Sequence, residues 1–344
     1  MKCWIFAALL LLSSPGFAQP LATLADGRSG DLEFNTYSPT GHNAIAAGTF
    51  DRKAVPIRGQ LYLPTGSEKV PAVVIGHTVG GVQPFLATRW VKALNEAGIA
   101  AFVVDSFGPR RMFNMWSQGR TEFNGAFLIA DAFKALELLA THPRLDASRI
   151  GFLGFSMGGF TAQCIIHEKF RRSVLGDSPV RFAVGIGHYP GCQYNFFEEE
   201  ASKTPLQLFL GEKDDWLPAE HCLRYAEFLK GRGYAINVKT YAGASHGYDQ
   251  DDPIKTVPDA SSSADCDPLL INLDKPLAPV RLRDGSALSS DTELRAVVGA
   301  VYKWARSCSS KGPSAGISPG QGDRRDDAVR DTLVVLGERF KLRP

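Results

Sequence analysis

The chain lacks a surplus of charge. Lys and Arg number 38 against 36 Asp and Glu, a formal net charge of +2 over 344 residues. So even a balance gives no field that would gather a nucleic-acid backbone or an anionic membrane surface. It also lacks a long hydrophobic run: past the N-terminal segment, no stretch approaches the roughly eighteen apolar residues that a membrane-spanning helix needs. CxxC and HExxH spacings are missing, so His188, Cys192, His221 and Cys222 are not read as a metal set. No internal repeat is visible. Hydrophobic residues at 44% and charged residues at 22% exclude a disordered, collagen-like or coiled-coil protein. These exclusions leave an enzyme or a binding module of globular build.

The N-terminus reads as a secretory signal. Lys2 gives a basic start, Trp4–Leu12 an apolar run too short to cross a bilayer, and Gly16-Phe17-Ala18 a small-x-small cleavage site. Residues 1–18 are therefore set apart from a single domain over 19–344, and a periplasmic or secreted location without a stable membrane anchor is expected. Cysteine usage agrees. Once Cys3 leaves with the signal, Cys164, Cys192, Cys222, Cys266 and Cys308 remain, and an oxidising compartment favours pairing. Cys164 lies in an apolar stretch and is the expected buried free thiol. Cys192–Cys222 and Cys266–Cys308 are the bridges expected among the connectivities that the spacing permits.

Residues 31–64 are extended in character, ending in the alternating run Arg58–Pro64. Pro71–His77, Ile99–Asp105 and Ile150–Gly154 are short continuous apolar runs, as strands buried on both faces require. Arg181–Gly187, Pro205–Gly211 and Ala235–Tyr241 are three further strands, and helical spacing marks 84–97, 121–141 and 218–231. Strands alternating with helices imply a mostly parallel, doubly wound α/β sheet with helices on both faces. Residues 249–290, rich in Asp, Ser and Pro, read as a long insertion held by Cys266 rather than by packing. The DQDD run at 249–252 lacks the glycine and terminal glutamate of a calcium loop. A helix is expected near 291–306, then a Gly/Ser/Pro-rich linker at 309–324 and a last helix at 325–338.

Four segments carry chemistry. In Gly154-Phe155-Ser156-Met157-Gly158 a strand turns sharply into a helix, which would thrust the Ser156 hydroxyl out at the sheet's carboxyl edge. The Met157 N–H then lies at a helix N-terminus, where negative charge is favoured. Asp214 and Asp215 follow the strand ending at Gly211. Either carboxylate could orient an imidazole, and Asp214 is preferred because Asp215 fits the helix that starts after Pro218. His246, past the last strand, is the one histidine downstream of both that also follows a strand, and it suits proton transfer near neutral pH. Ser, Asp, His in that order, each at a strand's carboxyl end, is the arrangement of α/β-hydrolases. Gly76-His77-Thr78-Val79-Gly80-Gly81 follows an earlier strand, and the Thr78 N–H is the candidate second oxyanion donor. Phe107, Met112, Phe113, Trp116 and Trp216 are candidate pocket walls.

GFSMGG, GEKDDWLP, AGASHGYD and GHTVGG together resemble the dienelactone hydrolase family over residues 55–248, and more loosely to the last helix. The resemblance implies a Ser156/Asp214/His246 triad with Thr78 and Met157 as the oxyanion hole. Founding members carry a cysteine where Ser156 stands and a glutamate where His77 stands, so this chain looks like a more general serine esterase. His77 is expected to shape its loop or meet the substrate. The family's substrate-binding arginine follows a shorter segment than Asp105–Arg111, which makes Arg110 a candidate anion contact. The expected activity is hydrolysis of a small-molecule ester or lactone by an exported enzyme with no cofactor. A peptidase or acyltransferase on the same fold, or a non-catalytic binding protein, are the alternatives.

Overall fold

The computed structural model describes residues 20–112 and 125–342, except 259, 263, 277, 279, 283, 289–302, 305–306 and 317–321. Eight strands build the central sheet: β1 (Gly30–Thr36), β2 (Val55–Tyr62), β3 (Val70–Gly76), β4 (Ala100–Asp105), β5 (Leu145–Phe155), β6 (Gly185–His188), β8 (Leu206–Gly211) and β9 (Ile236–Tyr241). Their order is β1-β2-β4-β3-β5-β6-β8-β9. β1 and β2 are antiparallel to their neighbours, and all pairs from β4 to β9 are parallel. This is the α/β-hydrolase architecture. The chain steps from β3 outward to β4 and returns to β5 on the other side of β3. The crevice at the carboxyl ends of β3 and β5 is thus the switch point where open α/β sheets bind ligands.

The continuous apolar runs are explained by burial on both faces. In β3, Ala72 and Val74 join one core while Val73 and Ile75 join the other; β4 splits the same way at Phe102 and Val103. The first core is covered by α1 (His42–Ala47), α3 (Ala126–Leu139), α4 (Met157–Cys164), α5 (Glu168–Leu175) and α6 (Ala219–Gly231). A π-helical turn (Leu86–Val91), α2 (Lys92–Glu96) and α7 (Arg325–Phe340) cover the second.

Several elements differ from expectation. The extended segment 31–64 is interrupted by α1, a helix shorter than two turns that gives no periodic signal and ends at Gly48 in the left-handed region. The helix expected over 84–97 opens with the π-helical turn. Arg181 leaves the strand position expected of it and pairs with Glu168 at 3.2 Å, so β6 starts at Gly185. The residues of the 121–141 helix that precede 125, and most of the 291–306 helix, lie outside the described residues, as does the signal segment.

The 249–290 segment is not structureless. It contributes β10 (Lys255–Thr256), β11 (Ser261–Ser262), β12 (Leu269–Asn272) and β13 (Arg281–Leu282). β12 runs parallel to β7 (Tyr194–Phe197) and buries Leu269 and Ile271, with Leu273 buried just past its end. β14 (Ser310–Lys311) and β15 (Ser314–Ala315) pair with β11 and β10, so the 309–324 stretch is partly strand rather than a bare tether. No helix among the described residues is long and apolar enough to cross a membrane.

Candidate active site

β5 delivers Ser156. The serine sits at φ 54°, ψ −108°, a left-handed conformation that costs a non-glycine residue and marks a strained corner before α4. Two glycines make the corner possible. A Cβ on Gly154 would overlap the carbonyl of Gly158, and one on Gly158 would overlap that of Gly76. The Gly158 N–H donates to the His77 carbonyl at 3.1 Å, tying the elbow to the loop after β3. Met157 is the first residue of α4, so its N–H has no carbonyl one turn behind it. Thr78 lies on the facing loop, whose turn is closed by the Gly81 N–H on the Thr78 carbonyl at 3.0 Å.

β8 and β9 deliver the other two groups, and backbone bonds lock their loops together. The Glu212 N–H donates to the Tyr241 carbonyl at 3.0 Å, and the Lys213 N–H to that of Ala244 at 2.8 Å. Asp214 Oδ1 accepts the Trp216 and Leu217 N–H groups at 3.0 and 2.8 Å. That leaves Oδ2 for the His246 Nδ1–H at 2.9 Å. His246 Nε2 is then the acceptor for the Ser156 hydroxyl at 3.0 Å. All three side chains are buried. Asp215 is the neighbour that faces away: it is exposed and accepts the Ser314 N–H at 2.9 Å.

The candidate substrate contacts fare differently. His77 turns both ring nitrogens inward, Nδ1 to the Thr78 carbonyl at 2.6 Å and Nε2 to the Ser106 N–H at 3.3 Å, with Phe107 on its face. Burial holds its pKa below the usual histidine value, so it is a neutral ring that shapes the loop. Of its two expected roles, shaping the loop is the one these bonds serve. Arg110 is corrected as an anion contact too. Its five N–H donors go to Ser38 Oγ, the carbonyls of Ser106 and Tyr37, and both carboxylate oxygens of Asp131. No donor is left for a ligand, because the guanidinium is needed to neutralise a buried aspartate. Trp216 packs its ring 4.9 Å from that of His246 and donates Nε1–H to the Ser261 carbonyl. Phe107 is buried against His77. Phe113 and Trp116 lie outside the described residues.

Two residues escaped the sequence reading. Tyr189, just past β6 and at φ 37°, sets its ring edge-on 4.9 Å from His246 on the side of Tyr248. Its hydroxyl donates to Asp249 Oδ1 at 2.5 Å. Asp249 lies three residues after His246 and is fully buried, with its pKa pushed up to about 6 by loss of water. The available signal was the aspartate of the DQDD run that stands nearest the histidine. Sequence pattern alone does not reveal that its side chain turns inward.

The cysteines pair as expected: Cys192 with Cys222, and Cys266 with Cys308, with Cys164 buried and free. Burial raises the Cys164 thiol well above its usual pKa, which makes it inert.

A sequence profile of the Dienelactone hydrolase family matches residues 57–269. A protein of a Bradyrhizobium species named "Probable 2-oxo-3-(5-oxofuran-2-ylidene)propanoate lactonase" is 21% identical over 203 residues, 55% of this chain and 77% of that protein. "Thiohydrolase aneE" of Aspergillus aculeatus is 30% identical over 106 residues, 31% of this chain and 32% of that protein. Among solved structures, native esterase Est2 of Thermogutta terrifontis aligns with a TM-score of 0.46 at 17% identity, covering 57% of this chain and 80% of that one.

Proposed function

Since the chain belongs to the dienelactone hydrolase family, we propose that it hydrolyses a carboxylic ester or lactone through an acyl-enzyme formed on Ser156. The observation that carries this reading is the unbroken hydrogen-bond line from Ser156 Oγ through His246 to Asp214. His246 Nε2 takes the hydroxyl proton as Oγ attacks the carbonyl carbon, and the carbonyl electrons move onto oxygen. The N–H groups of Met157 and Thr78 receive that oxyanion. As the tetrahedral species collapses, the carbon–oxygen bond to the leaving alcohol breaks and His246 returns the proton to it. In a lactone that alcohol stays attached to the acyl chain. Water repeats the sequence, giving up a proton to His246 and freeing the acid and Ser156. Asp214 keeps the imidazole in the tautomer with hydrogen on Nδ1 and stabilises the imidazolium.

The Bradyrhizobium relative is named for a lactone substrate, which supports including lactones in the substrate class. Arg110 is committed to Asp131, so the substrate is read as an ester or lactone that needs no carboxylate for binding through that residue. Two disulfides suit an oxidising compartment and support reading the basic-then-apolar N-terminus as an export signal.

The test has two arms. A fluorophosphonate should label Ser156, and Ser156→Ala should fold normally while turnover drops by on the order of a thousandfold or more. A panel of p-nitrophenyl acetate, small lactones and peptide anilides should show ester or lactone turnover. Anilide turnover without ester preference would replace the reading with a peptidase. Failure to label well-folded protein would favour a binding protein.

A further inference from the structure

The His246 imidazole packs against two aromatic rings. Trp216 and Tyr189 each set a ring centroid 4.9 Å from that of the histidine. A ring contact alone does not fix an imidazole, because a tyrosine ring slides and tilts at little cost. Here the Tyr189 ring is fixed at its far end: the hydroxyl donates to Asp249 Oδ1 at 2.5 Å, while Trp90 Nε1–H donates to Oδ2 at 2.8 Å. Asp249 itself hangs from the turn that carries His246, and Arg89 Nη1 donates to its backbone carbonyl. At φ 37° the Tyr189 backbone is strained, and the surroundings must over-determine it to hold it there. A carboxylate with no exposure and, among the described residues, no cation bonded to its oxygens is expensive to bury, and nothing in the proton-transfer sequence above uses it.

We infer that Asp249 is a positioning residue of this site, its carboxylate anchoring the Tyr189 ring as the wall that keeps the His246 imidazole on the line between Ser156 and Asp214. The inference rests on reading those three residues as the catalytic triad. The groups facing Asp249 are Tyr189 after β6, with Gln250 reaching the same hydroxyl, Trp90 and Arg89 of the π-helical turn, and Tyr248 of its own turn. Both carboxylate oxygens accept from donors, Oδ1 from the Tyr189 hydroxyl and Oδ2 from the Trp90 N–H.

The experiment uses the full chain and a neutral p-nitrophenyl ester, with Tyr189→Phe, Asp249→Asn, the double variant and Ser156→Ala measured together. Tyr189→Phe keeps the ring and its volume while cutting the tether, so it remains informative even if Asp249→Asn does not fold. The expected result is kcat lower by about ten- to a hundredfold with KM within about twofold, the scale for a displaced catalytic group. Because the two residues act through one bond, the double variant should lose no more than the worse single. Folded Tyr189→Phe with wild-type kcat, or losses that multiply in the double variant, would overturn the inference. If Ser156→Ala retains turnover, the triad reading fails and takes this inference with it. If only Ser156→Ala is inactive, the positioning role alone is lost.

Discussion

Arg110 offers the sharpest separation between a binding role and a structural one. Its guanidinium meets Asp131 at 2.7 and 2.8 Å in a two-pronged pair, with side-chain exposures of 9% and 1%, and it stacks 4.5 Å over the Phe127 ring. Removing one member of a buried pair strands the other charge, which costs about 3–5 kcal/mol. An unfolding entropy of about 2.1 cal/mol/K per residue over roughly 320 residues is ~0.7 kcal/mol/K, so Tm should fall by roughly 4–8 °C. Arg110→Met and Asp131→Ala should each show a loss of this size. Replacing both together should cost less than the sum, since no lone charge is left. The assay is thermal unfolding alongside kcat/KM for two esters matched in size, one neutral and one with a carboxylate in its acyl part. The ratio of the two rates should be the same in wild type and in folded Arg110→Met. A stable Arg110→Met that selectively loses the anionic ester would refute the assignment and restore Arg110 as a substrate contact.

Gly158→Ala should abolish or slow fluorophosphonate labelling by at least about a hundredfold, since its methyl would meet the Gly76 carbonyl in backbone that cannot yield. Gly337→Ala on α7 meets nothing within 4 Å and should instead stabilise by about 0.5–1 kcal/mol, with labelling unchanged. Non-reducing peptide mapping should recover Cys192 with Cys222 and Cys266 with Cys308, leaving Cys164 as the thiol alkylated only after unfolding. Any other pairing would reject that connectivity. Burial lowers the pKa of His42 and His188 to about 3, below the unfolded value near 6.5, so their contribution is present above pH 6.5 and declines as pH falls towards 3. Asp249 acts in the opposite sense between about pH 6 and 4, because its folded pKa is raised. With two groups against one, the urea midpoint should be lower at pH 4.5 than at pH 7, and an unchanged or higher midpoint would contradict this balance.

The parallel sheet was legible because its strands are buried twice over. Val73 and Val74 point into different cores, and only an unbroken apolar run can satisfy both. Ser156, Asp214 and His246 were legible for a related reason: a parallel sheet delivers every strand's carboxyl end to one edge, so residues just past Phe155, Gly211 and Tyr241 are brought near each other. What stayed hidden was side-chain direction within loops. Nothing in the Asp105–Arg111 segment shows that Arg110 turns back to Asp131, because Asp131 is on a helix whose apolar stripe it interrupts. Nor does the polarity of 249–290 reveal β12, whose partner β7 lies more than seventy residues earlier. Short pairings between distant segments leave no periodic trace.

The three side chains that meet at the sheet edge are therefore placed chiefly by backbone, not by one another. The Gly158 amide binds the β3 loop to the elbow, the Ser156 amide donates to the His188 carbonyl at 2.9 Å, and Lys213 joins the acid loop to the histidine loop. Every one of these bonds crosses between adjacent strands of the sheet or the loops that leave them. None of them involves the β10–β15 pair. Among the described residues, the Gly316 N–H, which donates to the His246 carbonyl at 2.7 Å, links that outer segment to the histidine itself. Gly316→Ala would press a methyl against the carbonyls of Asp252 and Pro253 at a residue whose φ is +119°. It should therefore lower kcat while leaving the central sheet folded. Unchanged kcat in that variant would place His246 under the control of Asp214, Tyr189 and Trp216 alone.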